Sequence, residues 1–456
     1  MQPARRLANK SFICQGCLSR QLQRSQRQQH RQFSRSAPRR QQQQSHDNAL
    51  PAAPAPTGLA ALSSRRLISV TGPDAAKYLQ GVITASMLAG ASHPPGRGLQ
   101  LQPEEEQHPR EEGFYAAFLT AQGRVLHDVF IHPDRTGLLE FSSACNKSPV
   151  APDERFIIEV DAAEAEHLQR HIKRYKLRAK LDVRLLDPEE FKVYHAWDDL
   201  SSSVGDLAHV LGRSTEAIAL QDTRAPGLGY RFITHGKYNL PSEVSEHEIP
   251  VVSEDLYTIR RYLHGVPEGQ QEIIRDQALP HESNLDQMGA IDFHKGCYVG
   301  QELTIRTQHR GVVRKRILPC VLYEDHQAMP QQLTYRPTIA DPDTNADAGS
   351  LTADMLPADT SIGRVGKKGR SAGKWLRGVG NIGLALCRLE IMTDVVLPGE
   401  TASATYSAED EFIVGRHASE QKDDGSGSGE QGALPPIKIK AFVPPWLRQG
   451  LNAQAQ

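Results

Sequence analysis

The chain has 456 residues, 39% hydrophobic and 23% charged, enough for two or three domains with substantial cores. No apolar run approaches the ~18 residues of a membrane helix, so a transmembrane segment is excluded and the chain is expected to be soluble or peripheral at most. The net charge of −1 is uneven: ten Lys and Arg and no acid lie between Met1 and His46, leaving 43 basic against 54 acidic residues and about −11 on the remainder, which argues against nonspecific nucleic-acid binding.

The first 46 residues, rich in Arg, Ser and Gln, have the composition of a mitochondrial transit peptide. Arg31-Gln32-Phe33-Ser34 fits a matrix-protease site with Ser34 as the first mature residue, so the expected compartment is the mitochondrial matrix. Six cysteines stand at 14, 17, 145, 297, 320 and 387. Cys14 and Cys17 form a CxxC with no second ligand pair nearby, a poor zinc signal, and the other four are scattered, as suits a reducing compartment. The polar and Pro/Ala-rich stretch 41–58 reads as a linker, 47–58 after the transit peptide, with the folded part starting near Leu59.

Leu67–Thr71 reads as a strand, and Gly72-Pro73-Asp74 as the start of a helix with Pro in its first position. Residues 90–113, with the acidic run Glu104–Glu106, read as an exposed loop. Phe114–Leu119 and Val125–Ile131 alternate around Ala121-Gln122-Gly123 as a hairpin. Asp161 and Glu164 resemble a capping box before a helix with Ala165, Leu168, Ile172 and Tyr175 on one face. Leu181, Val183 and Leu185 alternate as a strand. A second helix starts at Ser253, places Leu256, Ile259 and Leu263 on one face, and stops at Gly265 and Pro267.

From Ile317 onward the texture is that of short glycine-rich strands, a β-barrel-like domain over 317–448. Disordered insertions are expected at 336–360 and 421–432. The Lys/Arg/Gly stretch 367–378 with Trp375 reads as an exposed hairpin insertion or a partner surface. Ile437–Val443 alternates as a strand that rejoins the barrel, and Pro444-Pro445-Trp446 ends it.

The densest chemistry is Phe293–Leu303, FHKGCYVGQEL. Cys297 lies between Gly296 and Gly300, which permit positive φ and close approach. Lys295 or the start of a helix over Gln301–His309 would lower its thiol pKa. A buried thiol in a tight turn, an activated thiol or cluster ligand, and a ligand-contact loop all remain open. A cysteine-protease relay is rejected, because nothing orders His281, His294 and His309 around the thiol. One cysteine also cannot hold an iron–sulfur cluster alone.

Lys295, Gly296, Cys297, Tyr298, Gly300, Gln301 and Glu302 match the KGCYxGQE signature, and the chain resembles the YgfZ-type, folate-binding relatives of the glycine-cleavage T-protein. Leu279-Pro-His-Glu282 with Asn284-Leu-Asp286, Asp222-Thr-Arg224 with Leu228-Gly-Tyr-Arg231, Val266-Pro-Glu-Gly269 and Gly123-Arg-Val-Leu126 support the likeness. It covers Leu59–Arg316 well and the barrel more loosely. The resemblance implies an α+β fold in a three-domain, ring-like arrangement, with two α+β subdomains over 59–316 and the C-terminal barrel.

With the presequence, it also implies a late-acting assembly factor for [4Fe–4S] enzymes working with A-type carrier proteins. Cys297 would then bind metal or a cluster transiently, sharing it with the partner. Tetrahydrofolate is the implied ligand. Glu282 takes the place of a pterin-facing carboxylate, Arg260 could meet the glutamate tail, and Asp128 could bind or orient folate. The alternative is a folate-dependent one-carbon transferase. The T-protein's Gly-Gly-x-x-Asp-Asp reads here Gly123-Arg-Val-Leu-His127-Asp128, and a neutral His127 is no substitute for a carboxylate. That leaves only Asp128 for aminomethyl transfer.

Overall fold

The computed structural model describes residues 50–89 except 52, then 108–141, 154–340, 351–400 except 368, 405–415 and 437–455. The expected transit peptide with Cys14, Cys17 and Ser34, the run Glu104–Glu106, Cys145 and the expected insertion at 421–432 lie outside these residues.

In chain order the elements are β1 Thr57–Ala61, β2 Arg65–Thr71, α1 Ala75–Val82, β3 Leu88–Ala89, β4 His108–Pro109, β5 Phe114–Leu119, β6 Val125–Pro133 and β7 Arg155–Asp161. Next come α2 Ala165–Tyr175, β8 Asp182–Leu185, β9 Phe191–Asp198, α3 Ser203–Leu211, β10 Ala217–Gln221, β11 Tyr230–His235, α4 Leu240–Glu246, β12 Val251–Val252, α5 Glu254–His264 and α6 Gln301–Arg310. The remainder is β13 Lys315–Glu324, β14 Ser361–Arg364, β15 Gly373–Val379, β16 Ile382–Arg388, α7 Leu389–Met392, β17 Phe412–Val414, β18 Ile437–Ala441 and α8 Pro445–Ala455.

Two five-stranded sheets, β10-β11-β9-β1-β12 and β5-β6-β7-β2-β8, share a core. Ala60, Trp197 and Ile233 of the first meet Leu67 and Ile157 of the second in one buried cluster. Helices α1 and α2 cover the outer face of the second sheet through Leu79, Leu168 and Ile172. Helix α3 covers the outer face of the first through Val204 and Leu207. Strands buried on both faces explain why β5 and β6 have no exposed residue. The chain crosses between sheets at once: β1 pairs with β9 and β12, whereas β2 pairs with β7 and β8. The two subdomains are therefore interleaved rather than consecutive.

The third part is a closed six-stranded barrel, β13-β16-β15-β14-β17-β18. Its core holds Leu318, Trp375, Ala385 and Ile439. Ile259 and Tyr262 of α5 pack on its outside against Ile317 and Leu384. Ser253 precedes α5, and Gly265 ends it in the left-handed region at φ 70°.

Several local expectations are corrected. Pro73 lies outside α1, whose N-cap is Asp74. Asp161 and Glu164 form no capping box, and α2 starts at Ala165. Asp161 accepts instead from the amides of Ala163 and Gln270, while Glu164 pairs with His167 and Arg275. Tyr175, placed on the apolar face, is exposed. The stretch 336–360 is no wholly disordered insertion, since Ile339, Leu351, Ala353 and Leu356 enter the barrel core. Nor is 367–378 an exposed insertion: β15 runs through it with Trp375 fully buried. Its alternation of exposed Lys374 and Arg377 with buried Trp375 and Leu376, offset by a bulge, is that of a barrel strand. The strand β18 does end before Pro444, as its sequence predicts, and Pro445 then begins α8.

Candidate functional site

The hairpin β5–β6 is the platform of the signature turn. Gly123 (φ 81°) and Gly300 (φ 82°) meet there so closely that side chains are excluded. A Cβ on Gly300 would lie 2.3 Å from the Thr120 carbonyl, and one on Gly123 2.7 Å from Leu303 Cβ. Gly296, by contrast, faces open space. Tyr298 is buried in the core beneath, its hydroxyl 2.8 Å from Thr304 Oγ1. Gln301 turns back so that its side-chain oxygen accepts from the Tyr298 amide at 3.1 Å. Glu302 is exposed in the first turn of α6.

Lys295 donates to the carbonyls of Ile83 and Ala85, both at 2.8 Å. Burial lowers its pKa to about 8. Its ammonium thus anchors the turn to the end of α1. These contacts leave Cys297 exposed on a fixed turn, whereas Cys320 and Cys387 are buried in the barrel. Of the readings open for Cys297, the buried structural thiol is thereby removed.

The residues expected to serve folate do not gather at one place. Asp128 is fully buried between the sheets. Its carboxylate accepts from the Gly269 amide at 3.1 Å and the Tyr115 hydroxyl at 3.2 Å, and Arg65 stands 3.8 Å away. Burial pushes its pKa up, against the pull of Arg65. Glu282 is half-buried and pairs at 3.2 Å with Lys315, the first residue of β13. Arg260 forks onto Asp199 at 2.6 and 2.8 Å and lies over Trp197, so it is a buried, paired side chain rather than a surface one. It lines a groove of about 280 Å³ with Leu256, Leu263 and His264, and a neighbouring groove of about 380 Å³ is lined by Ser202, Gln221, Gly227 and Tyr230. Asp128 and Glu282 line neither.

His127 and Asp128 project to opposite sides of β6, as strand alternation requires. Asp128 faces the inter-sheet space, while His127 lies on the α2 side among Arg275, His171 and His167, where burial lowers its pKa to about 3. The histidine is neutral, as expected, but the carboxylate it replaces would not have faced the same site as Asp128.

Around Asp128 the sheets enclose a charged cluster that sequence reasoning did not assemble. Arg65, Arg224, Arg231 and Arg261 face Asp128, Glu159, Asp222, Glu268 and Glu272, all buried. Arg224 pairs with Asp222 at 2.7 Å and Glu268 at 2.8 Å. Arg231 reaches Glu159, Asp222 and Glu268, and Arg261 forks onto Glu272 at 2.8 and 3.0 Å. Tyr257 donates to Glu268 at 2.8 Å. The guanidinium groups of Arg231 and Arg224 lie 4.1 and 4.8 Å from the Phe130 ring centre, a desolvated cation–π contact. Burial alone would raise the carboxylate pKa values, but Arg231 above all holds Glu159 at about 2 and Glu268 well below the usual range. Four guanidinium groups thus face five carboxylates, and of the acids Asp128 is one that burial pushes up. The motifs at 222–224, 228–231 and 266–269 contain four of these nine charged residues. The signal for the rest was Glu159 inside an apolar strand pattern.

Among the described residues, no group of three or more His, Cys, Asp or Glu is placed to hold a metal ion.

Comparison with known proteins adds the following. The family model for the CAF17 C-terminal beta-barrel domain matches residues 314–412, within the observed barrel. The chain is 51% identical over 472 residues to the protein named iron-sulfur cluster assembly factor IBA57 homolog, mitochondrial, of Chaetomium globosum, covering 100% of this chain and 99% of that one. The protein of that name from Pyricularia oryzae is 54% identical over 397 residues, covering 87% and 86%. Among solved structures, the glycine cleavage system aminomethyltransferase T from Bartonella henselae superposes with a TM-score of 0.52 over 87% of this chain and 88% of that one. At 12% identity that likeness shows the fold alone: α+β, of the T-protein kind, ending in a barrel.

Proposed function

The chain belongs to the family of mitochondrial iron-sulfur cluster assembly factor IBA57 homologues, and from that premise we propose that it matures [4Fe–4S] enzymes in the matrix through Cys297. The observation that carries the reading is an exposed thiol held on a turn fixed at three points: the Gly123–Gly300 contact, the Lys295 anchor and buried Tyr298. A thiol so placed can take one coordination position of a cluster that passes through as cargo. The remaining ligands come from another protein, for which an A-type carrier has the right chemistry.

Replacing Cys297 by Ser in cells that depend on this chain should abolish aconitase-type activity while the purified variant melts like the wild type. Normal aconitase-type activity in those cells would refute the role of the thiol.

Tetrahydrofolate binding belongs to the same proposal. Glu282 supports it best, because one of its carboxylate oxygens has no protein partner among the described residues and could accept from a pterin edge. Arg260, on a groove wall, comes second. Direct titration with tetrahydrofolate should show saturable binding weakened by Glu282→Gln, and no saturation would remove folate from the reading. Asp128 gives the transferase alternative no support, since its oxygens already serve the chain's own donors.

A further inference from the structure

Helix α6, which leads away from Cys297, is poorly covered. Thr304 is its one buried residue. The packed side carries Leu303, Thr304, Thr307 and Gln308, and the other side carries Glu302, Arg306, His309 and Arg310, all four exposed. Val299 before the helix is 45% exposed and Val312 after it 40%.

Charge makes this stripe unusual for the molecule. Residues 293–316 carry six Lys and Arg against one acid in a body of about −11. Four of the six are engaged: Lys295 with carbonyls, Arg314 with Glu390, Lys315 with Glu282 and Arg316 with Asp286. Arg306 and Arg310 pair with no carboxylate among the described residues. They sit one turn apart, where like charges repel, so they gain from an external anion. Arginine is enriched at protein interfaces, the exposed valines add apolar surface beside it, and ten helical residues span about 15 Å.

We propose that the face of α6 formed by Arg306, His309 and Arg310, bracketed by Val299 and Val312, docks an acidic surface of the carrier protein that brings the remaining cluster ligands to Cys297. The proposal rests on the cluster-assembly reading and adds the surface that recognises the carrier.

The test is calorimetric titration of the full chain with a purified A-type carrier at low and high salt. Arg306→Glu/Arg310→Glu should weaken association about 10-fold or more at low salt. Wild-type affinity should fall with added salt. Arg170→Glu, an exposed charge reversal on α2, should stay within about twofold, since the stripe on α6 supplies the charge complementarity. Arg306→Gln/Arg310→Gln gives the same reading if the reversal does not fold. Unchanged affinity in both double variants, or a wild type that does not bind the carrier, overturns the proposal. So does a wild-type dimer dispersed by the reversal, which assigns the face to a second copy. Failure of the parent reading shows separately, as Cys297→Ser cells that keep aconitase-type activity.

Discussion

Glu268 is the member of the buried cluster whose neutralisation has the clearest consequence. Its carboxylate lies 2.8 Å from Arg224, pairs with Arg231, and has Arg261 at 3.9 Å and the Tyr257 hydroxyl at 2.8 Å. Glu268→Gln keeps the shape but leaves two guanidinium groups facing an amide, and breaking a buried pair from one side costs roughly 3–5 kcal/mol. The compact unit runs from Leu50 to Gln456, and at ~2.1 cal/mol/K of unfolding entropy per residue it shifts by about 1 °C per kcal/mol, so calorimetry at pH 7 should show a melting temperature lower by roughly 4–6 °C. The pH dependence has a definite sign. The folded-state pKa is depressed, so this stabilisation is fully present above the unfolded carboxylate value near ~4.3 and is lost as pH falls below it. The gap between variant and wild type should therefore be full at pH 7 and shrink below about pH 4. A drop under about 2 °C at pH 7, or a gap independent of pH, would show that the cluster does not hold the sheets together.

Two further outcomes follow from the same geometry. Gly300→Ala should destabilise the fold by about 1–3 kcal/mol in urea titration and speed or slow Cys297 alkylation by iodoacetamide, because its Cβ meets the Thr120 carbonyl; Gly296→Ala, in open space, should do neither. Asp128→Asn should cost less than Glu159→Gln in parallel urea titrations, since burial pushes the first acid toward its neutral form while Arg231 holds the second charged; the reverse order would contradict that assignment.

What the sequence disclosed follows the range of each interaction. The β5–β6 hairpin and helices α5 and α6 were legible because periodicity, turn residues and stops are local. The barrel's last strand was legible from its alternation alone. The capping box failed because Asp161 and Glu164 found better partners in Gln270 and Arg275, more than a hundred residues away. The buried cluster was hidden for the same reason, since its members come from both sheets, α5 and the loop after it. For Cys297, the motif gave the residue but not its exposure, because that depends on Lys295 reaching α1 rather than the thiol.

The swap of β1 and β2 between sheets also bears on how the protein comes into being. Strand β1 (Thr57–Ala61) finds its antiparallel partner only in Phe191–Asp198, about 130 residues later on a chain made N-terminus first. Until then it is an apolar segment with unmet backbone groups, the kind of edge that seeks strangers. The first strand thus waits unpaired while about 130 residues are added, and a chaperone that shields residues near 57–61 should raise the yield of native protein more than one that shields the barrel.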